Sequence, residues 1–249
     1  MKTSFCTQPP AGDRAGFTKT ELIMIIAVVA LLAAFHLYAA NGQKNQSKIV
    51  QCGCNLRQLS LSMLLYGGDN TEKLPVQTII GNWLWDLDWN VGNTLNKYGT
   101  PQENMYCPGT APRFSAVNNE ELYEYYATGN FHVIGYAPTL PNSPTLALSN
   151  VNATLTPQPL KPAVTSPYTI PPEPASQRVL VADATITHPG ITNFAYIPGA
   201  YRVPHISPHL DGFIPAGGNV AMLDGHVQWR NFSQMQLRTT SGAQTWFYW

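Results

Sequence analysis

Charge is what this sequence has least of. Only 11% of its 249 residues are Asp, Glu, Lys or Arg, and the 14 basic and 14 acidic side chains cancel. Phosphate binding needs clustered Lys and Arg, so this balance excludes nucleic acid as a partner. The common catalytic signatures are missing as well: no GxSxG, HExxH, Walker or GxGxxG stretch occurs, and no enzyme is expected. Cysteine is scarce, at four residues. "CGC" at 52–54 with a distant Cys107 lacks the paired CxxC spacing that tetrahedral zinc sites favour, so no metal ligand is assigned.

What is abundant is apolar and conformationally marked. The 21 Pro and 19 Gly imply a loop-rich domain, while 12 Tyr, 9 Phe and 6 Trp supply material for a core. From Leu22 to Ala40 no residue carries a formal charge if His36 is neutral. At about 1.5 Å per residue a helix of that length spans the hydrocarbon of a bilayer, which predicts a transmembrane segment over 22–40. Lys2, Arg14 and Lys19 precede it and Lys44 and Lys48 follow, so counting Lys and Arg leaves the orientation undecided. A cleaved secretory signal competes with this reading, since "YAANG" at 38–42 imitates a cleavage site, but it leaves Glu21 at the threshold of the apolar run unexplained.

The stretch "AGFTKTELIMIIAVVALLAA" resembles the N-terminus of type IV prepilins and type II secretion pseudopilins, whose signature is Gly, Phe, a Glu at the fifth mature position and an apolar helix. The resemblance implies that a prepilin peptidase removes residues 1–16 by cutting between Gly16 and Phe17 and N-methylates the new terminus. Glu21 would then be the fifth mature residue, compensated during assembly by the amino-terminus of a neighbouring subunit. Lys19 and Thr20 depart from the Leu-Ile pair commonest in such signatures. Near the other end, "HLDGFIPAGGNVAMLDGHVQW" resembles the C-terminal module of prepilin-like proteins named for an H-x9-DG pattern, here with fourteen residues between His209 and Asp224.

These resemblances imply an α+β, type IV pilin-like fold: a long N-terminal transmembrane helix packed on an antiparallel sheet, with a Pro-rich insertion. The implied role is that of a structural pseudopilin in a type II secretion pseudopilus or related pilus-like filament. Its partners would be prepilin peptidase, other pilin or pseudopilin subunits and the inner-membrane assembly machinery. Its place would be the inner membrane in a single pass, with the C-terminal domain in the periplasm and the assembled filament periplasmic or extracellular.

Along the rest of the chain, Ile49, Cys52, Leu56, Leu59 and Met63 recur at helical spacing, so one helix is expected over 17–66, stopped by Gly67 and Gly68. A head domain follows over 67–249. Cys52 on the apolar stripe and Cys107 in "MYCPG" suggest a disulfide, with Cys54 to Cys107 as the alternative. Asp69, Asn70 and Glu72 offer oxygen ligands of the kind calcium takes, although three in a loop commonly make only a turn. In "GNWLWDLDWN", Trp83, Trp85 and Trp89 beside Asp86 and Asp88 suit a sugar platform or a core strand, and keep open a second function, a membrane-anchored periplasmic carbohydrate-binding module. The prolines of 137–174 predict an extended surface insertion. Strands and a hairpin are expected over 178–232, with Asp224-Gly225 as the positive-φ turn. His205, His209, Asp211, Asp224 and His226 invite a metal hydrolase, but Asp224 already has its turn role, and His205 and His209 flank Pro208 in a loop.

Overall fold

An apolar stretch running into an amphipathic one folds as a single helix, α1 (Lys19–Asp69). The computed structural model describes residues 18–78, 81–126, 130–159, 171–240 and 242–249, and for 33–44 the helical backbone only. Gly16, Phe17 and the expected leader lie outside the described residues. The chain divides between Lys44 and Asn45 into two units.

In the first unit, α1 opens with a capping box. The backbone N–H and the hydroxyl of Thr18 donate to Glu21 Oε2 at 2.8 and 2.9 Å, and the Glu21 N–H returns a bond to Thr18 Oγ1 at 3.3 Å. Two orphan donors of the first turn are thereby satisfied. The expected transmembrane helix needs correction here: among the described residues no helix is long and apolar enough to cross a membrane. The single-pass inner-membrane localisation is corrected on the same finding.

In the second unit, α1 continues to Asp69, past Gly67 and Gly68. Glycine here does not end the helix. It ends where Thr71 and Glu72 take left-handed φ of 54° and 62°, a backbone state that breaks helical hydrogen bonding. Cys52, Leu56, Leu59 and Met63 are fully buried, as their common helix face demands. Ser60 and Ser62, buried alongside, turn their hydroxyls back to the carbonyls of Arg57 and Leu59.

The head is α+β. Two short helices, α2 (Trp89–Lys97) and α3 (Ala116–Tyr125), accompany ten short strands among the described residues. Asp88 caps α2 by accepting from the N–H groups of Asn90 and Val91, and Ser115 caps α3 with a reciprocal bond to Asn118. Strands β1 (Asp86–Asp88) and β2 (Phe131–Val133) pair antiparallel. So do β5 (Thr185–Thr187) with β10 (Trp246–Tyr248), and β6 (Leu210–Asp211) with β7 (Ile214–Pro215). The largest sheet is antiparallel, in the order β3 (Tyr136–Pro138), β4 (Val179–Asp183), β8 (Gly217–Met222), β9 (Val227–Asn231). Its central strands read VLVAD and GGNVAM and are almost wholly buried, as short runs with few exposed positions should be. Val220 pairs with Gln228 and Ala221 with Val227, and the connecting turn carries Gly225 at φ +89° beside Asp224.

The proline-rich segment departs from a surface insertion. Its start is edge strand β3, where Pro138 pairs opposite Val181 without having to donate to a further strand. Leu140, Leu146 and Asn152 are buried, and Thr154 bridges to Lys73. Residues 160–170 of this segment lie outside the described residues.

Candidate functional site

Four segments distant in sequence meet at one buried point of the head. Cys52 comes from the apolar face of α1, Cys107 from the loop before a short 3-10 turn, Asp183 from the last residue of β4, and His209 from the residue before β6. The Cys52 thiol donates to Asp183, with Sγ 3.0 Å from Oδ1 and 3.2 Å from Oδ2. Cys107 Sγ lies 3.1 Å from His209 Nε2, which is 3.5 Å from Asp183 Oδ2. One ligating atom from each residue falls within 4.8 Å of all the others.

The surroundings hold these groups in place. The Asn219 N–H donates to Asp183 Oδ2 at 2.7 Å, and the Gly109 N–H approaches Cys107 Sγ at 3.4 Å. The Tyr136 hydroxyl, 3.8 Å from Cys52 Sγ, bonds to the carbonyl of Tyr106. His209 itself adopts φ +52°, an uncommon conformation for a residue with a Cβ. Gly109 makes room for it, since a Cβ there would come within 2.7 Å of the imidazole and 2.9 Å of the His209 backbone nitrogen.

Electrostatics follow from burial and charge. Burial alone would depress the His209 pKa, but the hydrogen bond to Asp183 and the negative charge there outweigh it and raise it to about 10. The Cys107 thiol is pushed well above its ordinary value, chiefly because its thiolate would be desolvated. Two sulfurs, one imidazole nitrogen and one carboxylate oxygen form a donor set suited to a borderline-soft divalent ion.

A second candidate is a cleft of about 330 Å³ lined by Trp83, Trp85, Asp86, Tyr126, His188 and His205. Asp86 accepts from the N–H groups of Asn82 and Trp83 at 2.7 and 2.9 Å. Its burial outweighs these bonds and raises its pKa to about 7. His205 sits among the rings of Trp83, Trp85, Phe114 and Tyr201. Burial there, with a smaller contribution from His188, lowers its pKa to about 4.

The expected residues are therefore redistributed. Cys52 and Cys107 do meet, but as free thiols, each directed at Asp183 or His209; the expected disulfide is not formed, and Cys54 is free and exposed. Of the histidine and carboxylate set, His209 joins the cysteines, His205 lines the aromatic cleft, and Asp224 pairs with His226 on the exposed hairpin at 2.6 Å. Of the tryptophan set, Trp83 and Trp85 line the cleft, whereas Trp89 stacks on His132 and Asp88 caps α2. Asp69 accepts from Tyr98 and Glu72 from Thr156, while the Asn70 amide donates to the Tyr66 carbonyl, so the three calcium candidates serve different partners.

Asp183 was not singled out from the sequence. Its signal is a lone carboxylate closing the buried run "VLVAD", since an unpaired charge in that position would be severely destabilising. Compared with known proteins, the chain matches no family model, no curated protein and no solved structure.

Proposed function

We propose that this chain is a structural subunit of a pilus-like filament, a pseudopilin of a type II secretion pseudopilus or a relative, processed by prepilin peptidase between Gly16 and Phe17. One observation carries the reading. The nine Leu, Ile, Met and Val side chains between Leu22 and Leu32 are each 46–67% exposed and surround the helix, directly after the Thr18–Glu21 cap. An apolar surface of that extent marks an interaction site, and a helix apolar on every side is buried by neighbours on every side. Other copies of the same helix, staggered along a filament axis, supply such neighbours. Glu21, Met24, Ile25, Val28 and Val29 share one exposed face of the helix, on which a neighbouring helix can lie.

The role is mechanical, and the partners are the peptidase, like subunits and the assembly machinery. Mass spectrometry of the N-terminal peptide from the native source tests processing; the expected species begins at N-methylated Phe17, and a chain beginning at Met1 sinks the reading. Cysteine pairs introduced at Ile25 and Val29 in a Cys54→Ser background should cross-link into a ladder of multimers.

A second reading rests on the aromatic cleft. Trp83 and Trp85, with ring centroids 5.4 Å apart, and Asp86 beside them suit a sugar ring in a carbohydrate-binding module. A rise in melting temperature on adding oligosaccharides would favour it.

A further inference from the structure

We propose that Cys52, Cys107, Asp183 and His209 bind a structural zinc ion that fastens helix α1 to the sheet of the head. In a tetrahedral zinc site, spokes of about 2.3 Å to sulfur and 2.0–2.2 Å to nitrogen or oxygen place neighbouring ligand atoms roughly 3.3–3.8 Å apart. Three of the six ligand pairs, at 3.2 Å from Cys52 Sγ to Asp183 Oδ2, 3.1 Å from Cys107 Sγ to His209 Nε2 and 3.5 Å from His209 Nε2 to Asp183 Oδ2, lie close to those edges, and the whole set falls within 4.8 Å. All four ligands come from the protein and all four side chains are at least 90% buried. No position is left open for a substrate, which distinguishes a structural from a catalytic site.

A disulfide would need neither Asp183 nor His209, yet each thiol points at one of them. Zinc gives all four a common purpose. Binding takes the protons off the two thiols and the imidazole, leaving two thiolates, a carboxylate and neutral His209 around the dication. The net negative charge that remains faces the N–H groups of Asn219 and Gly109, the kind of outer donors that orient metal ligands. A cavity of about 440 Å³ lined by Lys48, Gly109, Arg113, His209 and Asp211 reaches His209 and offers the ion a way in. The inference does not depend on the filament reading.

The test uses the full chain purified under reducing conditions without chelator. Elemental analysis should find one zinc per chain, and Co²⁺ in its place should give the intense visible absorption of tetrahedral cobalt with thiolate charge-transfer bands. Cys54→Ser should keep both, and His209→Ala and Cys52→Ser should lose them. Since those two variants could fail to fold, the unaltered chain is also melted before and after chelation; the melting temperature should fall and return when zinc is restored. A reduced chain that binds no zinc and melts unchanged overturns the proposal. So does a native chain lighter by two hydrogens with Cys52 joined to Cys107, or a six-coordinate cobalt spectrum.

Discussion

Helix α1 carries two opposite solutions to the same problem. Between Leu22 and Leu32 its apolar side chains surround the axis and stay exposed, whereas Cys52, Leu56, Leu59 and Met63 form one stripe that is fully buried. The second arrangement matches a single sheet lying on one side; no single surface could cover the first. Burial inside one chain thus requires that apolar residues be confined to a face. Where they are not, the apolar side chains stay exposed, as from Leu22 to Leu32.

The sharpest way to break this contrast is at the bottom of the buried stripe. Asp183→Ala removes the acceptor of Cys52 and the Asn219 N–H and the partner of His209. Losing one member of a buried charged cluster should lower unfolding stability by about 3–5 kcal/mol, seen as a drop in the denaturant midpoint. Leu59→Ala, in a fully buried position, should cost about 2–5 kcal/mol by the same measurement. Ile25→Ala should leave the head within about 0.5 kcal/mol while weakening association between copies in sedimentation. If Ile25→Ala and Leu59→Ala destabilised the head alike, the contrast between the halves would be lost.

Acid and base probe the head from a different side. His205 has a folded pKa of about 4, below its ordinary 6.5, so its contribution is present above pH 6.5 and is lost as pH falls through 4. Asp86 has a folded pKa of about 7, above its ordinary 3.8, so its contribution is present below pH 3.8 and is lost as pH rises through 7. Each amounts to roughly 3–4 kcal/mol across its window, and between pH 4 and 6.5 the two slopes oppose each other. Melting curves should therefore be flatter there than in either variant. Asp86→Asn should become less stable on acidification through that range, and His205→Phe less stable on raising the pH. Unchanged slopes in both would mean the cleft is wetter than its burial implies.

Legibility tracked how local the cause was. The stripe of Cys52, Leu56, Leu59 and Met63 is a matter of helical spacing, and Asp224-Gly225 one of turn chemistry, so both could be read from neighbours in the sequence. The buried centre could not, because its four residues come from a helix, a loop, a strand end and a second loop, and only tertiary folding brings them together. The expected CxxC test looked for metal ligands in sequence, when here each ligand is supplied by a different element. Gly67 and Gly68 misled in the other direction: their permissiveness allows a helix to end without compelling it, and the side chain of Leu155 packs over Gly67 instead. Pro138 was read as surface because proline disrupts central strands, yet an edge strand tolerates it.

The smallest effect separates two jobs held by one residue. Glu21 both caps α1 through Thr18 and places an exposed carboxylate at the head of the apolar surface. The hydrogen bonds from Thr18 keep its pKa below the usual carboxylate value, so it is charged at neutral pH. Glu21→Gln keeps an oxygen to accept from Thr18 but removes the charge, and Thr18→Val keeps the charge but removes one donor. Either change should move head unfolding by no more than a few tenths of a kcal/mol, as expected of an exposed position outside the packed unit. Filament yield is where they should part. If the carboxylate meets the amino-terminus of a neighbouring subunit, Glu21→Gln should abolish assembly and Thr18→Val should reduce it only slightly; equal losses would assign Glu21 to capping alone.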